Sequence, residues 1–194
     1  MGRTHAALYG LACAFAAVAT PASAFTAIDP LTRQPLYSAD ESVKAQTVAP
    51  QRQVVSFDGR YAPGTIVVST SERRLYYVLG NGQAIQYGVG VGRPGFTWAG
   101  AHSVTMKREW PDWRPPASML KRRPDLPRYM AGGPDNPLGA RALYIGSTIY
   151  RIHGSNEPET IGEAVSSGCI RMTNEDVTDL YNRAKVGARV IVQR

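Results

Sequence analysis

Between residues 54 and 153 the chain repeats one pattern: runs of four to eight residues rich in Val, Ile and Tyr, broken at short intervals by glycine and proline. The runs are 54–57, 65–70, 75–79, 84–91, 103–107, 142–145 and 149–153, and a final one spans 188–193. Asp58-Gly59, Pro63-Gly64 and Gly80-Asn81-Gly82 are turn signals between them, and the last of these predicts a hairpin joining 75–79 to 84–91. Helical periods between the strands are missing. The pattern therefore predicts a mainly β domain, sandwich or barrel-like, rather than a parallel sheet built from βαβ units. A chain of 194 residues suits one such domain.

One main helix is predicted over 175–185, near the C-terminus. Thr173 or Asn174 caps it, Glu175 and Asp176 favour its first turn, and Val177, Leu180, Tyr181 and Ala184 form its buried stripe, with Gly187 past the end. A short helical turn fits 117–121, between Pro116 and Pro124. The segment 109–137 fits no strand: it holds Trp110, Trp113, Tyr129 and seven prolines. A loop of that length in a compact domain is usually functional, and its aromatics predict an ordered lid or wall over a cleft.

The N-terminus reads as an export signal. Arg3 gives a positive start, residues 6–19 are an uncharged apolar run, and Pro21-Ala22-Ser23-Ala24 offers a cleavage site. The run is shorter than the roughly 20 residues a spanning helix needs, so no stable membrane anchor is expected after cleavage. We read residues 1–24 as signal peptide, 25–53 as a flexible arm broken by Pro30, Pro35 and Pro50, and 54–194 as the folded domain. Loss of Arg3 leaves 21 Lys and Arg against 15 Asp and Glu, a net charge of +6 that favours anionic partners. In an exported protein those are parts of the cell envelope. Nucleic acid is not expected, because the densest basic cluster, Lys121-Arg122-Arg123, has no interleaved aromatics and runs into Pro124.

Cysteine usage narrows the chemistry. Cys13 leaves with the signal, so Cys169 is the one thiol of the mature chain, in an oxidising compartment where it has no intrachain partner. Such a thiol is inert and buried, paired between molecules, or a nucleophile. A nucleophile needs a base, and the run Ile149 to His153, followed by Gly154, reads as a strand that delivers a histidine at its end. Cys169 lies sixteen positions after His153, within Ser166-Ser167-Gly168-Cys169-Ile170-Arg171-Met172, where Gly168 permits a tight turn presenting the sulfur. The N–H groups of Gly168 and Cys169 are candidate oxyanion donors. A zinc site needs three or four ligands, and two mature histidines with one cysteine at these spacings argue against it; no cofactor is expected.

The run from His153-Gly154 to Ser166-Ser167-Gly168-Cys169-Ile170-Arg171-Met172 resembles the signature of the L,D-transpeptidase (YkuD-like) catalytic domain. Likeness continues in Pro63-Gly64-Thr65-Ile66-Val67-Val68, in Trp110 to Pro116, and in Gly132 to Gly139. The resemblance implies that Cys169 is the nucleophile, His153 its base, and the Gly154 carbonyl the group that orients the imidazole. It implies attack on the third, meso-diaminopimelate residue of a peptidoglycan tetrapeptide stem, loss of the terminal D-Ala, and transfer to an amine on another stem or on an envelope protein. Arg171 then holds a substrate carboxylate or the active-site loop, and Ser166, Ser167, Trp110 and Trp113 are candidate substrate contacts. Ser167 stands where the common motif has histidine. Two other readings keep the same sequence: a hydrolase that hands the acyl group to water as a carboxypeptidase or amidase, and a catalytically inert wall-binding module. Mass analysis of the exported protein should find Phe25 at its N-terminus; an intact residue 1–24 segment would refute the export reading.

Overall fold

The computed structural model describes residues 49–58 and 60–194, so the predicted signal and most of the predicted arm lie outside the described residues. Eleven strands and two helices follow in the order β1 (Gln53–Ser56), β2 (Ile66–Ser69), β3 (Arg74–Gly80), β4 (Gln83–Gly88), β5 (Val91–Gly92), β6 (Gly100–Glu109), α1 (Ala117–Arg122), β7 (Arg141–Ile145), β8 (Arg151–His153), β9 (Ala164–Ser166), β10 (Ile170–Arg171), α2 (Asn174–Arg183) and β11 (Arg189–Gln193). Nine of the strands form one sheet in the order β1-β4-β3-β2-β11-β6-β7-β8-β10, and β5 pairs with β9 beside it.

The predicted hairpin is β3 and β4. Asn81 and Gly82 both take positive φ, 51° and 70°, which the tight turn demands and which only Gly and Asn adopt readily. Further in, Ile66, Val67 and Val68 run without alternation because β2 is buried on both faces. It lies between β3 and the C-terminal β11, which pairs with it in parallel.

Strand β6 turns the sheet. Its first part pairs with β11, its second with β7, and a register shift between Val104 and Met106 marks a bulge where the ladder changes partner. The two halves then share a hydrophobic core: Ile66, Val68, Leu75 and Tyr87 from one side meet Leu143, Ile145, Ile152 and Ile170 from the other, with Met172, Val177 and Leu180. Helix α2 is capped by Thr173, whose Oγ1 accepts from the Asp176 N–H at 3.1 Å. It packs on β7 and β8 and so ties the core to the strand that carries His153.

Three pairings are parallel: β2 with β11, β8 with β10, and β5 with β9. None of them is joined by a simple strand–helix–strand crossover. The sheet is mixed because residues 154–169 return β10 alongside β8 through a 3-10 turn (Pro158–Thr160) and the short β9. The last residues of the predicted arm are docked: Pro50 lies against Gly88, and Arg52 pairs with Asp176 and Asp179 at 3.5 Å each. Leu180 is fully buried in the shared core. Leu180→Ala should cost about 2–5 kcal/mol, read as a lower urea midpoint; a loss under about 1 kcal/mol would contradict this packing.

Candidate active site

His153 ends β8 with its ring buried. Its Nδ1 lies 2.6 Å from the carbonyl oxygen of Gly154. A carbonyl only accepts, so the ring hydrogen sits on Nδ1 and Nε2 is left as the basic nitrogen. Gly154 is glycine for a reason of space: a Cβ there would lie 2.2 Å from the Asn174 side-chain oxygen, which itself accepts from the Ala140 N–H at 2.8 Å. Burial pushes the His153 pKa down to about 4, with the cations of Arg171 and Arg151 adding to the effect and the Gly154 hydrogen bond opposing it. The imidazole is neutral at physiological pH.

The cysteine turn is pinned from two sides. Ser166 Oγ donates to the Cys169 carbonyl at 2.6 Å and accepts from the Gly168 N–H at 3.1 Å. Trp98 Nε1 donates to the Gly168 carbonyl at 2.7 Å, and its ring stacks on Tyr150 at 4.6 Å and 6°. Gly168 has φ 110°, and a Cβ on it would lie 2.4 Å from Tyr150 Cε1, so both the backbone and the aromatic wall require glycine.

Register sets Cys169 and His153 on one face of neighbouring strands. In the parallel β8–β10 pair, Ile170 faces Ile152 and Arg171 faces His153. Cys169, one residue before Ile170, is thus level with Arg151 and diagonal to His153. By strand alternation Arg151, His153, Cys169 and Arg171 share one face, while Ile152 and Ile170 point into the core. Cys169 is half-buried. Desolvation pushes its thiol pKa up, against a backbone hydrogen bond from Arg151 and the charges of Arg151 and Arg171. At rest the thiol and the imidazole are both neutral.

The remaining predicted site residues divide. Arg171 holds the neighbouring loop: its guanidinium donates to Ser155 Oγ and to Glu157 Oε2, each at 2.7 Å. Ser167 is half-buried in the turn next to Gly168. The Gly168 N–H donates to Ser166 Oγ, and Ser166 is buried with its hydroxyl bonded twice within the turn. Trp110 and Trp113 belong to the long loop. Trp110 is half-exposed, with its N–H on the Ala140 carbonyl, and Trp113 exchanges backbone bonds with Met130. The indole at the cysteine turn is instead Trp98, which sequence reasoning passed over together with Tyr150 and Arg151.

A family model described as YkuD, the L,D-transpeptidase catalytic domain, matches residues 63–192. The chain belongs to this family. Among its relatives is Probable L,D-transpeptidase ErfK/SrfK of Escherichia coli K12, 39% identical over 134 residues, which are 64% of this chain and 42% of that protein. The chain therefore spans less than half the length of that relative. L,D-transpeptidase 3 of Mycobacterium tuberculosis, solved with a faropenem-derived adduct, shares the fold at 23% identity and TM-score 0.53, over 67% of this chain and 60% of that one. A Brucella melitensis structure described as a probable carnitine operon oxidoreductase is 42% identical, with TM-score 0.51, over 75% of this chain and 96% of that one.

The depressed His153 pKa makes a stability prediction for this family member. Unfolded, the ring binds a proton below about pH 6.5, whereas folded it resists until about 4, so stability falls as pH drops through that window. The loss approaches about 3 kcal/mol at its acid end. Urea unfolding at pH 7 and pH 4.5 should show a smaller loss for His153→Gln than for the native chain; equal losses would refute a buried neutral ring.

Proposed function

We propose that this protein is a cysteine L,D-transpeptidase acting on peptidoglycan tetrapeptide stems in the cell envelope, with Cys169 as nucleophile and His153 as base. The observation that supports it most directly is the parallel β8–β10 register, which sets Cys169 diagonal to His153 on one face. The family match and the signal-like N-terminus support it independently.

With a thiol and a neutral imidazole at rest, the proton moves as the bond forms. Cys169 Sγ attacks the carbonyl of the third stem residue while His153 Nε2 takes the thiol proton. The imidazolium is stabilised through Nδ1–H by the Gly154 carbonyl, the role a carboxylate plays in other triads. The Cys169 N–H serves as a donor to the oxyanion. Collapse of the tetrahedral intermediate breaks the peptide bond, and the leaving D-Ala amine takes the proton back from His153. An acceptor amine then attacks the thioester, losing its proton to His153 as the sulfur leaves. The acceptor is an amine of a second stem, giving a 3-3 cross-link, or of an envelope protein.

Two measurements test this reading. Tetrapeptide muropeptides, incubated with and without an acceptor amine and resolved by mass, should give cross-linked product; release of D-Ala to water alone would make the enzyme a carboxypeptidase. A carbapenem or penem should add covalently to Cys169 in the native protein. Cys169→Ser should lose the adduct and at least about 10³-fold of turnover, with the melting temperature nearly unchanged. A native protein that stays unmodified while its denatured thiol titrates would end the enzyme reading.

A further inference from the structure

The face that carries Cys169 and His153 holds two arginines, and they are not equivalent. Arg171 is satisfied by Ser155 and Glu157. Arg151 has no carboxylate partner among the described residues. Its guanidinium lies over the Tyr144 ring, 4.9 Å from the centroid, and its Nε is buried without a hydrogen-bond acceptor. Register explains the placement: Tyr144 faces Arg151 across β7–β8, and Cys169 is level with Arg151 across β8–β10. A desolvated N–H left without an acceptor is costly, so an unpaired guanidinium beside a nucleophile is a site short of an anion.

We propose that Arg151 is a specificity-determining residue, whose guanidinium receives a carboxylate of the acyl donor beside the Cys169 sulfur. The planar fork of arginine suits a carboxylate, and Tyr144 holds it in one plane while it waits. Taking the proposed tetrapeptide donor as substrate, on which this inference rests, carboxylates flank the scissile carbonyl on both sides. One is the terminus of the leaving D-Ala and the other is on the side chain of the third residue. Binding either would offset one of the two cations that oppose imidazolium formation at His153, so recognition and proton transfer are coupled.

Alkylation of Cys169 tests the site without relying on transpeptidation. Iodoacetate and iodoacetamide differ by a carboxylate against a neutral amide, and each reacts by displacement of iodide by sulfur. The iodoacetate-to-iodoacetamide rate ratio, followed at Cys169 by peptide mass, should exceed that of the denatured protein by about tenfold. Arg151→Gln should bring it down to the denatured value, while Arg151→Lys, which keeps the charge and so guards against a folding defect, should keep part of the preference. Equal ratios in native protein and Arg151→Gln overturn the proposal. With stem donors, Arg151→Gln should raise KM by about tenfold or more and change kcat less. A donor amidated at the third-residue side chain, or one ending in D-alaninamide, should erase the difference between native and variant, and the one that does so identifies the carboxylate. If neither does, the proposal fails. Native protein that turns over no donor yet prefers iodoacetate would sink the transpeptidase reading and leave the carboxylate site supported.

Discussion

A parallel pairing of two residues, Ile170 with Ile152 and Arg171 with His153, is the constraint on which the site depends. It is short, and such a ladder has little strength of its own. Its register is held by what surrounds it: Ile152 and Ile170 are anchored in the common core, the Met172 N–H bonds the His153 carbonyl, and Gly90 exchanges backbone bonds with Arg171 from the other side. A slip of one residue would turn Cys169 away from the imidazole and put Arg171 into hydrocarbon. The apolar alternation therefore protects the chemistry as well as the fold.

Around this ladder the polar groups are arranged in closed sets. Asn174 belongs to α2, yet its side-chain oxygen reaches the Ala140 N–H and sits where a Cβ on Gly154 would be. The carbonyl that orients the imidazole is thus held by the helix that fills the core. On the sulfur side, Ser166 closes the turn on itself, and Trp98, just before β6, bonds the turn and stacks on Tyr150, just before β8. Most donors near Cys169 are consumed in holding position, which leaves few groups open to a ligand and makes the unpaired Arg151 conspicuous.

Local chemistry was legible in the sequence, and non-local pairing was not. Asn81-Gly82, the cap at Thr173 and the His153-Gly154 strand end are each written within a few residues, and the hairpin, α2 and β8 form where those signals stand. Strands β5, β9 and β10 run only two or three residues and owe their existence to partners far along the chain, so no local period announces them. The same holds for Trp98. Nothing next to it in sequence marks it, and only folding brings its indole to the Gly168 carbonyl. Gly168 was readable as a turn glycine, but whether its N–H was free turned on a hydroxyl two residues away, a geometric question that spacing does not answer. Parallel pairing of β11 with β2 was hidden by distance alone, since well over a hundred residues separate them.

That last pairing has a consequence for how the protein is made. Strand β11 occupies the middle of the sheet, between β2 and β6, so the two halves have no direct contact ladder until residues 189–193 arrive. A ribosome makes this strand after the ten others. Until then the nascent polypeptide lacks the strand that joins the two halves of the sheet, so long-range closure comes late in folding.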